Sequence, residues 1–120
     1  MKVLIIDDSM FMRTLIKQTL NTAEYGPMEI QEANDAEEAL MICSQFKPDL
    51  FVVDLNLPGM SGMDLIETIK KESPQAKFGI ITSNKSSEVN EQAKAAGAAF
   101  FISKPFTKAG VMEAIKSVLS

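Results

Sequence analysis

Five short apolar runs, each followed by a segment of helical period, most constrain the fold open to this chain. Strands are expected at Lys2–Ile6, Met28–Glu32, Leu50–Leu55, Phe78–Thr82 and Phe100–Ser103. Helices are expected at Met10–Thr22, Asp35–Phe46, Met63–Glu72, Ser87–Ala96 and Lys108–Leu119. The punctuation agrees with this alternation. Ser9, Asn34 or Asp35, and Thr107 stand where N-caps belong, Asp35 and Glu38 have capping-box spacing, and Gly26-Pro27, Pro48, Pro74 and Gly97 stop the helices. Strands alternating with helices imply an α/β fold: a five-stranded parallel sheet with five helices on both faces. The middle strands are almost unbroken Leu, Ile, Val and Phe, as strands covered on both sides should be. With 120 residues and no linker, repeat or low-complexity segment, residues 1–120 are expected to form one domain with no second unit after the last helix.

Composition narrows the chemistry. A net charge of −4 argues against a nucleic-acid surface, which needs a basic stripe. No apolar stretch is long enough to span a membrane, and the amino terminus lacks the layout of a signal peptide. Cys43 is the only cysteine, so no disulfide framework exists and a cytoplasmic, monomeric protein is expected. Its place within Ala39-Leu40-Met41-Ile42-Cys43 reads as a structural thiol. The chain has no histidine. That removes Ser-His-Asp and Cys-His catalysis, most zinc sites and any phosphohistidine role for this chain itself.

Right-handed crossovers bring every strand's carboxyl end to one edge, where ligands of open α/β sheets bind. Asp7 and Asp8 follow the first strand, Asp54 falls in the third, Thr82 ends the fourth and Lys104 follows the fifth. Alone, each has a plain reading: capping acids, a loop acid, a turn hydroxyl, a solvated lysine. Together they form a charge constellation. Three carboxylates so close repel unless a counter-ion relieves them, and Mg²⁺ suits a few carboxylates, several waters and a phosphate. Asp54, followed by Leu55-Asn56-Leu57-Pro58-Gly59, would be held exposed beside the metal as a nucleophile able to form an acyl phosphate. Lys104 would neutralise the incoming phosphoryl charge, and the Thr82 hydroxyl would donate to one of its oxygens.

These segments resemble the response-regulator receiver domains of bacterial two-component signalling, of the stand-alone chemotaxis (CheY-like) type. The likeness covers essentially the whole chain. It rests on Ile6-Asp7-Asp8-Ser9, Val53-Asp54-Leu55-Asn56-Leu57-Pro58-Gly59, Ile81-Thr82-Ser83, Gly97-Ala98 and Lys104-Pro105-Phe106, in this order and spacing. The resemblance implies a flavodoxin-like fold with strand order 2-1-3-4-5, the order known from flavodoxin and the chemotaxis receivers. It also implies that Asp54 is the phosphoacceptor and that Mg²⁺ is held by Asp8, Asp54, the Asn56 carbonyl and, directly or through water, Asp7. Thr82 would be the switch hydroxyl and Lys104 the phosphoryl-binding lysine, with a cis bond to Pro105. Phe101 would be the switch aromatic, where many members carry Tyr; as a bare residue it reads equally well as a core or edge-strand aromatic. Asn56 and Asn84 would tune acyl-phosphate lifetime.

The implied function is a signalling switch rather than an enzyme. It would take a phosphoryl group from a histidine kinase or histidine phosphotransfer protein. An exposed Met or Phe of the run Ser9-Met10-Phe11-Met12-Arg13 would offer that donor a contact, although core packing explains at least half of that run. It would then act on a separate effector, such as a flagellar switch component, through the surface of the fourth helix, last strand and last helix. The alternative within the family is a phosphate sink or kinase regulator outside chemotaxis, or an unphosphorylated scaffold. Other classes fit less well. A haloacid-dehalogenase-like phosphatase wants a second acid two residues after its nucleophile, where this chain has Asn56. A flavodoxin-like cofactor binder wants a phosphate loop after the first strand, and a nucleotide binder wants a P-loop or GxGxxG.

Overall fold

The computed structural model describes residues 1–22, 28–83 and 86–119. Ten elements alternate along the chain: β1 (Lys2–Ile6), α1 (Met10–Thr22), β2 (Glu29–Ala33), α2 (Ala36–Phe46), β3 (Leu50–Asp54), α3 (Gly62–Glu72), β4 (Lys77–Thr82), α4 (Ser87–Ala95), β5 (Phe100–Ser103) and α5 (Lys108–Leu119). All strand pairs are parallel and the sheet order is β2-β1-β3-β4-β5. This is the flavodoxin-like arrangement that the family resemblance implies.

Side-chain alternation divides the core in two. Leu4, Ile6, Phe51, Val53, Phe78 and Ile80 meet Ala36 and Ala39 of α2, Leu65, Ile66 and Ile69 of α3, and Ala93 of α4. Val3, Ile5, Leu50, Val52, Ile81 and Ile102 face the opposite way, onto Ile16 and Leu20 of α1 and Val111, Ile115 and Val118 of α5. Three helices thus cover one face and two the other, so the neighbouring strands β1 and β3 send their chains to opposite sides. The crevice between their carboxyl ends is the topological switch point of the sheet.

Helix ends follow local chemistry. Ser9 Oγ accepts from the Met12 N–H, Asp35 Oδ1 from the Glu38 N–H and Thr107 Oγ1 from the Gly110 N–H. Glu38 reaches back to the Asn34 N–H, one residue before the cap itself. Ser61 and Ser86 cap α3 and α4 in the same way. Strand β2 runs one residue later than the sequence pattern suggests, because Ala33 pairs with Ile6 and is buried in the core. Gly79 is required by packing: a Cβ there would lie 2.0 Å from the Phe100 ring carbon Cζ on the neighbouring strand. The Gly26-Pro27 stop and Asn84 lie outside the described residues.

Candidate functional site

The carboxyl end of β1 delivers two adjacent carboxylates into different surroundings. Asp7 is buried, with its N–H donating to the Ala33 carbonyl at 3.1 Å, which extends the β1–β2 pairing by one residue. Its Oδ1 accepts from the Ser9 N–H at 2.9 Å, and its Oδ2 accepts from Lys104 Nζ at 2.8 Å. Asp8 is exposed, and its carboxylate has no hydrogen bond or ion pair among the described residues.

Asp54 ends β3, and its Oδ1 accepts from the Asn56 N–H at 2.9 Å while Oδ2 accepts from Lys104 Nζ at 3.0 Å. The expectation of an exposed Asp54 is overturned: the residue is only 4% accessible. The reason is packing around the strand end. Leu57 folds into the core, and α3 begins against β3 with Gly62 N–H donating to the Leu55 carbonyl at 3.3 Å. A Cβ on Gly62 would stand 2.6 Å from the Asp54 carbonyl oxygen, so only glycine lets the helix start there. Asn56 is exposed, and its Nδ2 donates to Thr82 Oγ1 over a long 3.4 Å. Thr82 itself is fully buried at the end of β4.

Lys104 closes the cluster from the last strand. Its N–H donates to the Thr82 carbonyl at 2.8 Å, and the peptide bond to Pro105 is cis. Burial alone would lower the ammonium's pKa, but the hydrogen bonds and charges of Asp7 and Asp54 outweigh it, and the net shift is upward. Lys104 is therefore a cation at neutral pH, and it bridges two buried carboxylates. Phe101, on the same strand, is half-buried beside the α2–α3–α4 core.

Carboxylate oxygens of Asp7, Asp8 and Asp54 lie within 4.8 Å of one another. Three acids against one lysine leave the cluster negative, and oxygen-only donors with one partner-free exposed carboxylate fit a hard divalent cation such as Mg²⁺. A cavity of about 750 Å³ lies elsewhere, between α2 and the β2 edge, lined by residues such as Gln31, Met41 and Phe46. It holds none of the converging acids, so chemistry rather than volume locates the site.

Two residues at this edge carry more weight than the sequence pattern suggests. Gly62 lies in a turn-rich segment, and only the close approach to β3 reveals its part. Arg13 is 8% exposed, and its Nη1 donates to the Asp7 carbonyl oxygen at 2.6 Å. A signal for it existed: Arg13 falls on the inward stripe with Ile16 and Leu20, where an arginine must find partners. At the other end of exposure, Met10 and Phe11 begin α1 with 71% and 70% of their surface accessible.

With this geometry in place, comparison with known proteins assigns the class. Residues 3–116 match the response regulator receiver domain family, and the chain belongs to it. The chain is 36% identical to the chemotaxis protein CheY of Thermotoga maritima, over 98% of this chain and 96% of that one. It is also 36% identical to the two-component response regulator PhoP of Pseudomonas aeruginosa, over 88% of this chain but only 46% of that longer protein. Among solved structures, the CheY-like receiver domain protein of Methanospirillum hungatei superposes with a TM-score of 0.85 at 31% identity, covering 98% of this chain and 92% of that one. Receiver domains are signalling switches of two-component systems that bind Mg²⁺ at an acidic pocket. No helix among the described residues is long and apolar enough to cross a membrane.

Proposed function

We propose that residues 1–120 act as one receiver unit whose phosphoacceptor is Asp54. The observation that carries this reading is the placement of one lysine between two buried carboxylates, with the exposed Asp8 beside them at the switch point. A carboxylate oxygen of Asp54 forms the new P–O bond while the donor's P–N bond breaks, and the released imidazole is neutral or takes up a proton from water. Lys104, already in contact with Asp54, shifts onto a phosphoryl oxygen, and the Thr82 hydroxyl donates to another. Asp7, Asp8, Asp54 and the Asn56 carbonyl would hold Mg²⁺, which supplies charge neutralisation of the phosphoryl group. Hydrolysis of the acyl phosphate returns Asp54 and inorganic phosphate.

The donor is a histidine kinase or phosphotransfer protein, met through the exposed Met10 and Phe11 at the start of α1. The response passes through Thr82 and Phe101 to the α4-β5-α5 surface, which binds a separate protein in the cytoplasm. Likeness to CheY over nearly all of both chains supports a chemotaxis role, such as contact with a flagellar switch component. Equal identity to part of the two-component response regulator PhoP supports a pathway outside chemotaxis, where the second reading is a phosphate sink or kinase regulator.

Incubation with Mg²⁺ and a small acyl-phosphate donor, followed by intact mass, tests the assignment. The wild type should gain one phosphoryl group and Asp54→Ala none. Modification persisting in Asp54→Ala, or absent from the wild type, defeats it.

A further inference from the structure

Arg13 is a buried cation with three partners drawn from two segments, the turn after β1 and the end of β2 with its turn. Nη1 donates to the Asp7 carbonyl oxygen at 2.6 Å and to Asn34 Oδ1 at 2.8 Å, and Nε donates to Glu32 Oε1 at 3.1 Å. Neutralising a guanidinium requires only Glu32. The other two bonds do something else: they tie the turn after β1 to the turn after β2. The Asp7 carbonyl belongs to the peptide plane that ends at the Asp8 Cα, and a planar peptide gripped at its oxygen carries that Cα with it. Asp7 is held in addition by its N–H on Ala33 and by its carboxylate on Ser9 and Lys104. The Asp8 carboxylate has no such restraint among the described residues, so the plane that Arg13 grips sets where it stands.

We propose that Arg13 is the positioning residue of the cation site. It fixes the Asp7–Asp8 peptide and so holds the exposed Asp8 carboxylate toward Asp54, and through Asn34 it couples that site to the start of α2. This inference rests on the reading of the acid cluster as a Mg²⁺ site. Partners that orient metal ligands have measurable weight, about 10- to 100-fold in metal affinity. The sign separates positioning from charge. Removing a cation beside three acids would, through charge alone, tighten Mg²⁺ binding; losing the grip on the peptide loosens it.

The test is the Mg²⁺ dissociation constant by calorimetry for the wild type, Arg13→Met, Glu32→Gln and Asn34→Ala, with metal-free melting recorded for each. Arg13→Met should weaken Mg²⁺ binding by about tenfold. The Mg²⁺ concentration for half-maximal phosphorylation should rise in step, while the rate at saturating Mg²⁺ stays near the wild-type value. Glu32→Gln leaves both Nη1 bonds intact and should stay within about twofold, as a part-exposed ion pair allows. An Arg13→Met protein that folds and binds Mg²⁺ as well as or better than the wild type overturns the proposal, as does Glu32→Gln weakening binding equally. Where Arg13→Met fails to fold, Asn34→Ala decides: weaker Mg²⁺ binding supports the coupling and unchanged binding defeats it. A wild type that binds no Mg²⁺ is a separate result, and it removes the metal-site reading on which the inference stands.

Discussion

Helices α3 and α4 lie on the same face of the sheet, yet they are held in very different ways. Of its 11 residues, α3 buries Gly62, Leu65, Ile66 and Ile69 and seats its first residue on the backbone of Asp54. In α4, with 9 residues, the buried position is Ala93, and Val89 is only half-buried. Burying a Leu or Ile side chain contributes about 1.5–3 kcal/mol, so three of them anchor α3 with several kcal/mol, while alanine offers far less. A polar tether crosses between them: Lys70 Nζ of α3 donates to the Ala96 carbonyl at the end of α4, at 2.7 Å. The Asp54 carboxylate therefore sits on the tightly held side. The segment beside Thr82 and Phe101 has fewer buried apolar contacts and should open at lower free-energy cost.

The contrast is most exposed to attack through paired truncations. Ile66→Ala should destabilise the fold by about 3 kcal/mol, within the 2–5 kcal/mol usual for a fully buried residue. Val89→Ala, on the partly solvated helix, should cost under about 1 kcal/mol. Urea unfolding of both variants measures the difference, and equal losses would abolish the distinction between the two helices.

A glycine pair sharpens the same comparison at smaller cost. In Gly62→Ala the new Cβ would fall 2.6 Å from the Asp54 carbonyl oxygen and 2.7 Å from the Leu55 Cα, backbone atoms that cannot swing away. About 1–3 kcal/mol of stability should go, and β3 should shift at its end, so acyl-phosphate labelling should slow as well. Gly97, just after α4, has φ +90° and open space around it. Gly97→Ala should cost about 1 kcal/mol from backbone strain alone. Its labelling should be unchanged. Slowed labelling in Gly97→Ala, or normal labelling in Gly62→Ala, would mean that the site does not depend on the α3 side as argued.

Why some of this was legible in the sequence follows from what each feature depends on. The parallel sheet and the gathering of Asp7, Asp8, Asp54, Thr82 and Lys104 depend on period, handedness and position at strand ends, all written locally. The strand order is implied only by the family resemblance, because the same alternation is compatible with other orders. The burial of Asp54 depends on Leu57 turning inward and on α3 starting within contact of β3, which no local pattern encodes. Arg13 shows the middle case: its place on the inner stripe of α1 is local, but its partners Glu32 and Asn34 become neighbours only once β2 pairs with β1. Ser61 and Ser86 are capping residues of an ordinary type. Ser86 is obscured by Ser83 and Ser87 on either side of it, and Ser61 by a turn in which the start of α3 is set by its contact with β3.

Cys43 provides a built-in reporter of the tightly held side. It lies on α2, half-buried against the core that α2 shares with α3. Burial, and then the charge of Glu72 at the end of α3, push its thiol up to about 11 from an ordinary value of 9.0. At pH 7.5 the thiolate is then scarcer than in an unfolded chain by roughly a hundredfold, so alkylation should be at least about tenfold slower in the folded protein than in urea. The linkage has a definite sign. Because the fold holds this proton more tightly than the unfolded chain does, the contribution is complete below pH 9 and is lost as pH rises toward 11. Urea midpoints measured across that window should therefore fall more steeply for the wild type than for Cys43→Ala. Parallel curves, together with rapid alkylation at neutral pH, would show that the α2–α3 side opens as readily as α4, and the asymmetry between the two helices would no longer describe the molecule.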